Sequence, residues 1–368
     1  LLDGPELLQR DVWEALAQAG WLGLHLAEDY GGSGFGLAEL GVVVEGLARA
    51  VCPGPFLSTV AAAAVIAAGD DDATKKRWLP ALASGRAIAG IGFGDLVLGG
   101  HLADVFVLAR GGEMLLVERA EAEVTDVQNL DLTRRVARVV VADGAGSSLG
   151  CTRAEATAIT RALASAEAAG LARGCVEMAS EYAKQRVQFG RVIGSFMAVK
   201  HHCANMLVQT ELATASAWDA LNAAAVGGDE FRLAAAVAAS TGLPAAMWCG
   251  EMNIQLHGGV GYTWEHNAHL YMRRAGAVHA LFGTADAARQ DVFELTASGV
   301  ARSIALDLPP EAEAFRADVR GFLNGYGSLS PEEQRRRLVD SGYLYPHWPR
   351  PFGRSASAVE QLVIDEEF

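Results

Sequence analysis

From Thr152 to about Val187 the sequence reads as one long helix carried mostly on Ala, Gly and Ser. Side chains this small leave a helix little to bury alone, but they let neighbouring helices approach closely. The stretch therefore demands a tight bundle. Three more segments can supply it: a long helix from about Phe196, one containing Pro244, and one beyond the loop HGGVGY. Thr152 and Glu155 have capping-box spacing, each side chain reaching a free N–H of the first turn.

The rest of the chain falls into blocks around this bundle. Residues 1–90 read as a helical domain. Leu37, Leu40, Val44, Leu47 and Val51 recur at three- and four-residue spacing, and Gly20 is a helix-stopping position. VAAAAVIAAG (60–69) reads as a buried helix, being too short to cross a membrane. Residues 91–150 change character: DVFVLAR, EMLLVER and RVARVVVADG are short β-branched segments, with a hairpin signal at Gly111-Gly112. The bundle fills 151–304. Tandem prolines after Leu306 then open a linker and an amphipathic helix bearing Phe315, Val319 and Phe322, so 305–368 reads as a new element. The fold class expected is α+β, mostly α.

The formal net charge is −14, which argues against nucleic acid, whose binding rests on clustered Lys and Arg. No run of eighteen uninterrupted apolar residues argues for a membrane span, and no basic leader with a cleavage site opens the sequence. Five scattered cysteines without C-x-x-C spacing fit neither a zinc site nor a disulfide framework. A reducing cytoplasm is the expected compartment.

The last block echoes the first. LVDSGYLYPHWPRPFGR (338–354) matches LAQAGWLGLHLAEDYGG (16–32): Leu16 with Leu338, Gly20 with Gly342, Trp21 with Tyr343, His25 with His347 and Gly31 with Gly353. Glu45 and Glu367 extend the match. Each pair is 322 residues apart, without a gap.

Two clusters carry chemistry. In AKQRVQFGRVIGSF (183–196), Arg186, Gln188, Phe189 and Arg191 stand where a long helix ends at Gly190. An Arg there can pair with a pyrophosphate and a Phe can pack on an adenine, although cations are favoured at any helix C-terminus. In QLHGGVGYTWEHNAHLYMRR (255–274), Gly258, Gly259 and Gly261 permit close backbone approach; a plain helix–turn–helix connection explains them equally. No strand precedes this loop, so it is not a dinucleotide fingerprint.

In this order, with EDYGGSG near the start and LFGTADAARQ (281–290), these segments resemble the acyl-CoA dehydrogenases over residues 10–300. The resemblance implies an N-terminal helical domain, a small β domain, a four-helix bundle and an FAD cofactor. It implies that Arg186, Gln188, Phe189, Ile193 and Met197, with Gln255, His257, Gly258 and Gly259, contact the ADP half of an FAD bound mainly by a neighbouring copy. Met197 replaces a frequent Gln. The implied substrate is an acyl-CoA and the implied electron acceptor an electron-transfer flavoprotein.

The pattern breaks where the family does chemistry. Its base is a glutamate before Gly-Thr, and here Phe282 precedes Gly283-Thr284. Some members carry the base before an Arg on an earlier helix, where Thr160-Arg161 stands. Neither a phenyl ring nor a neutral hydroxyl takes a proton at pH 7. The usual flavin-holding loop is replaced by GIGFGDLVLGG (90–100), and the β region reads as shortened around Asp95. Asp286 and Arg274 also depart from the family. This combination resembles the unequal subunit pairs of actinobacterial steroid side-chain degradation, some fused in one chain, in which one FAD serves each pair. The expected assembly is a homodimer of fused chains. Two alternatives stand beside it: a conventional fatty acyl-CoA dehydrogenase homodimer with an unrecognised base, Glu251 and Glu265 being the nearest carboxylates, and a flavin-free structural or regulatory homologue.

Overall fold

The computed structural model describes residues 8–302 and 308–368. The chain divides into two compact units, Leu1–Arg302 and Ser303–Phe368. The expected linker residues 305–307 lie outside the described ones.

Unit 1 begins with α1 (Arg10–Gln18), α2 (Leu37–Arg49), α3 (Phe56–Ala68) and α4 (Asp72–Ala83). In α3 every residue from Phe56 to Ile66 is buried, as its all-round apolar sequence requires.

The sheet follows as β1 (Ala89–Gly92), β2 (Leu96–Leu98), β3 (Val105–Arg110), β4 (Glu113–Glu118), β5 (Ala122–Asp126), β6 (Val136–Val141) and β7 (Ser147–Thr152). Their spatial order is β5-β6-β2-β1-β3-β4-β7, with β1 and β3 parallel and the other pairs antiparallel. Gly111-Gly112 makes the β3–β4 hairpin, Arg110 facing Glu113. The GAGSSLG stretch (144–150) enters β7 and pairs with β4. Side chains alternate between two cores. Val105, Val107, Met114 and Leu116 join the helical core, while Phe106, Val117, Val97 and Val139 fill a smaller one.

The bundle comprises α5 (Arg153–Gln185), then β8 (Val187–Gln188) and β9 (Arg191–Val192), then α6 (Met197–Ala223), α7 (Gly228–His257), α8 (Ala268–Leu281) and α9 (Ala285–Ala297). The Thr152–Glu155 capping box forms, Thr152 N donating to Glu155 Oε2 at 2.9 Å. Helix α7 packs on α5, α6, α8 and α9. The helical stretch Gly228–Tyr262, although not uninterruptedly apolar, is long and apolar enough to cross a membrane by length and composition; 67% of its apolar eighteen-residue window is buried within the protein.

At the position where the resemblance implies Asp, Arg274 lies fully buried. Its Nε donates to Asp131 at 3.0 Å and its Nη1 to the Cys52 carbonyl at 2.9 Å; Nη2 reaches the Thr133 hydroxyl. Alongside, Arg134 grips Glu167 of α5 with both terminal nitrogens. Two guanidinium groups thus face two carboxylates, tying the 129–135 loop to α5, α8 and the start of α3.

Unit 2 holds α10 (Ala312–Leu323), α11 (Pro331–Ser341) and α12 (Ala358–Glu367). Gly342 follows α11 at φ 77 as Gly20 follows α1 at φ 73, and each N–H bonds a carbonyl three residues back, Val339 or Ala17. Past Leu26 and Trp348 the gap-free register is wrong by one residue. Gly31 has φ 78, whereas Gly353 is not in the left-handed region. A Cβ at Gly353 would meet the carbonyl oxygens of Tyr345 and Trp348 at 2.4 and 2.5 Å. At Gly32 it would meet those of Gly23 and Leu26, their counterparts, at 2.6 and 2.1 Å. Gly353 therefore corresponds to Gly32. Ser355 N bonds Trp348 O as Gly34 N bonds Leu26 O, both at 2.8 Å. Helix α12 then starts behind the Ser357–Glu360 box as α2 starts behind Gly36 and Glu39. One residue fewer in the loop makes Glu366, not Glu367, the counterpart of Glu45.

Candidate functional site

Both positions at which a base was sought open onto one cavity. Phe282 and Thr160 line a space of about 660 Å³ together with Phe93, Asp95, Arg138, Arg153, Arg161 and Asp291. Thr160 is carried on α5, and its hydroxyl donates to the Ala156 carbonyl at 2.8 Å. Its proton belongs to the helix backbone, a common arrangement for a mid-helix Thr. Phe282 is buried at the end of α8. Gly283 then turns the chain at φ 100, and Thr284 caps α9, its Oγ1 accepting from Ala287 N.

Two carboxylates line this cavity, and each is engaged. Asp95 accepts from Arg138 at 3.1 Å. Asp291 pairs with Arg161, whose buried Nε has no hydrogen-bond partner among the described residues. Each carboxylate is thus already committed to a guanidinium. Of the two alternative carboxylates, Glu251 lines a different cavity, of about 690 Å³, with Gln255, Tyr262 and Trp264. Glu265 is exposed, and its own backbone N–H and Thr263 hold its carboxyl below the usual range.

The β side of the first cavity does not suit a flavin cradle. Phe93, Gly94 and Asp95 form the whole connection between β1 and β2, and Ile91 already pairs with Leu98. The connection is continuous and closed, which accounts for the shortness read around Asp95. It points acceptors inward: the Phe93 carbonyl takes Arg153 and the Asp95 carboxylate takes Arg138. A pyrophosphate or flavin carbonyl needs donors there.

The residues expected to contact a cofactor sit elsewhere. Helix α5 ends at Gln185, not at Gly190, so the first cluster is no helix C-terminus. Gln188 pairs with Arg191 across a hairpin whose two-residue loop is Phe189-Gly190, at φ 52 and φ 76. Positive φ at both positions matches the turn that fits strand twist, yet a bulky residue there is strained. Phe189 is 91% exposed and Met197 68%. Arg186, Gln188, Gln255, Gly258 and Gly259 are exposed too, and the Arg186 side chain forms no hydrogen bond or ion pair among the described residues. Ile193 is half-buried in the turn before α6.

His257 departs from this set. Its ring is buried between Tyr182 and His266, with centroids 4.4 and 4.3 Å away. Nδ1 donates to the Asn253 carbonyl at 2.7 Å, leaving Nε2 as acceptor. Burial lowers its pKa, so the ring is neutral at pH 7. It joins the end of α5 to the end of α7, which brings the two clusters to the same end of the bundle. The exposed side chains and glycine backbone, with an unpaired guanidinium among them, suit the ADP portion of a dinucleotide carried by another body. Exposed Tyr262 and Trp264, at the mouth of the second cavity, are two residues the sequence reading missed; their aromatic character beside the glycine loop was the available signal.

Residues 3–86 match the profile of the acyl-CoA dehydrogenase N-terminal domain, and residues 152–295 that of its C-terminal domain. Acyl-CoA dehydrogenase FadE34 of Mycobacterium tuberculosis is 38% identical over 97% of this chain, which spans 52% of that relative's length. Acyl-CoA dehydrogenase IpdE2 of the same organism is 39% identical over 72% of this chain and 80% of its own. Among solved structures, a variant of the Tcur3481–Tcur3483 steroid acyl-CoA dehydrogenase shares the fold at TM-score 0.73 and 24% identity, covering 81% of this chain and 91% of its own. The ChsE4–ChsE5 complex of M. tuberculosis does so at TM-score 0.72 and 22% identity, covering 82% and 91%.

Proposed function

Because the chain belongs to the acyl-CoA dehydrogenase family, whose members are FAD-dependent flavoproteins, we propose that it is the half without a base in a two-copy acyl-CoA dehydrogenase, completing the FAD site of the other half. One observation carries this reading. Both base positions line a single cavity, neither is a carboxylate, and the cavity's two carboxylates are each paired with an arginine. FAD, when bound, supplies acceptance of the β-hydrogen as hydride. This chain's own part is to bind and orient. Arg186 meets a phosphate, Phe189 covers the adenosine, and Gly258-Gly259 let backbone approach the cofactor. The strained, exposed Phe189 supports this: among the described residues its ring meets only Phe196, edge-on at 6.1 Å between centroids. Unit 2 supports a second copy. Leu344 and Leu362 are exposed, while their counterparts Leu22 and Gly41 are buried against the rest of unit 1.

The substrate we propose is a steroid side-chain CoA thioester, on the likeness to the steroid enzyme above. Electrons would pass to an electron-transfer flavoprotein, and the fused chain would form a homodimer in the cytoplasm. Flavin absorbance of the intact protein tests the central reading: one FAD per two copies is expected, and two would sink it. Faster turnover of a plain medium-chain acyl-CoA than of a steroid side-chain thioester would remove the substrate assignment.

A further inference from the structure

The cavity beside Phe282 carries one more positive charge than its own carboxylates balance. The guanidinium groups of Arg138, Arg153 and Arg161 line it against the carboxylates of Asp95 and Asp291. Arg138 takes Asp95 and Arg161 takes Asp291. The Arg153 side chain bonds a neutral group, the Phe93 carbonyl, at 3.2 Å. Arg153 also opens α5, whose N-terminal end adds positive potential of its own.

The surplus is least satisfied at Arg161. This residue is 6% exposed, and Asp291 engages its Nη1 alone. Its Nε is buried without a partner among the described residues, and Nη2 bonds none of them either. The Nε–Nη2 edge faces Gly283: a Cβ there would stand 3.8 Å from Nε and 3.7 Å from Nη2. Residue 283 has no side chain to close that side. A buried N–H without an acceptor costs the full desolvation of the group, more so when it is charged.

The lining sets the chemistry of the acceptor. The hydroxyls of Thr157 and Thr160 donate to the Arg153 and Ala156 carbonyls, at 2.7 and 2.8 Å. The donors left are guanidinium N–H groups, which select an anion, and two parallel N–H bonds match the two oxygens of a carboxylate. Phe93, Leu281 and Phe282 supply apolar wall, and about 660 Å³ lies within the range of small-molecule sites.

We propose that this cavity binds a free monocarboxylate with an apolar body. The carboxylate meets the Nε–Nη2 edge of Arg161, and the body lies against Leu281 and Phe282. A thioester carbonyl, being uncharged, does not answer the surplus; a free acid does, with a single negative charge. The site fills without flavin, so it stands apart from the FAD contacts proposed above.

The probe is sodium octanoate, titrated into the full chain with no flavin added and followed by isothermal titration calorimetry. Saturable one-to-one binding is expected, with octanamide, its uncharged counterpart, at least about tenfold weaker. Arg161→Lys keeps a charge beside Asp291 but has no fork, and should weaken octanoate at least about tenfold. Ala287→Leu, at an exposed position on the cavity wall, should weaken it without touching the guanidinium. Val226→Asp, on exposed surface elsewhere, leaves binding unchanged. Absence of saturable binding, octanamide as tight as octanoate, or Arg161→Lys no weaker than Val226→Asp overturns the proposal. So does displacement of octanoate by equimolar inorganic phosphate, because the site would then read a bare anion.

Discussion

Arg274→Met should unfold unit 1 more readily than any surface change, and the buried charge count says by how much. Arg134 and Arg274 balance Asp131 and Glu167, all nearly out of solvent. The Met side chain fills the volume but leaves two carboxylates facing one guanidinium. It also removes donors from Asp131, Thr133 and the Cys52 carbonyl. Breaking a buried pair on one side costs about 3–5 kcal/mol. For a unit of this size, that lowers Tm by about 5–8 °C. Guanidinium denaturation followed by far-ultraviolet circular dichroism measures the loss. The double variant Arg274→Met/Asp131→Asn restores one charge against one. It should therefore be more stable than the sum of the two single losses, by about 1 kcal/mol or more of coupling. A single-variant loss below about 1 kcal/mol, or strict additivity, would refute the account of a balanced buried network.

Other outcomes follow from the same structure. Burial pushes the His25 ring down to about 4, against a smaller opposing effect of the Val60 backbone. Its stabilising contribution is complete above pH ~6.5 and is lost as pH falls towards 4, by up to about 3 kcal/mol; His25→Gln should flatten urea-measured stability across that window. Gly32→Ala and Gly353→Ala should both destabilise through collision with carbonyl oxygens, whereas Gly31→Ala meets no atom within 4 Å and should cost only about 1–2 kcal/mol for its positive φ. Melting curves that grouped Gly353 with Gly31 would refute the one-residue shift. Arg186→Ala should leave Tm unchanged and weaken FAD retention of the paired protein about tenfold or more, read by flavin fluorescence. Phe282→Glu should leave acyl-CoA oxidation by this half absent, since the β1–β2 turn offers no flavin cradle; a gain of activity would contradict that.

The fold class, the Thr152 cap, the Gly111-Gly112 hairpin and the buried α3 were legible in the sequence because each depends on residues a few positions apart. That neither Phe282 nor Thr160 can accept a proton was legible as well, being a property of the side chain alone. Tertiary structure decided the rest. Long-range packing of α5 against α8, and of α9 against α7, set Thr160 and Phe282 on one cavity and tied Asp291 to Arg161. A two-residue turn, not a helix end, pushed Phe189 into solvent. Stacking between Tyr182 and His266 withdrew His257 from the exposed cluster. The shift in the repeat was invisible to pairwise matching, because glycines at 31 and 32 read alike in sequence, and only the carbonyls crowding Gly32 and Gly353 tell them apart.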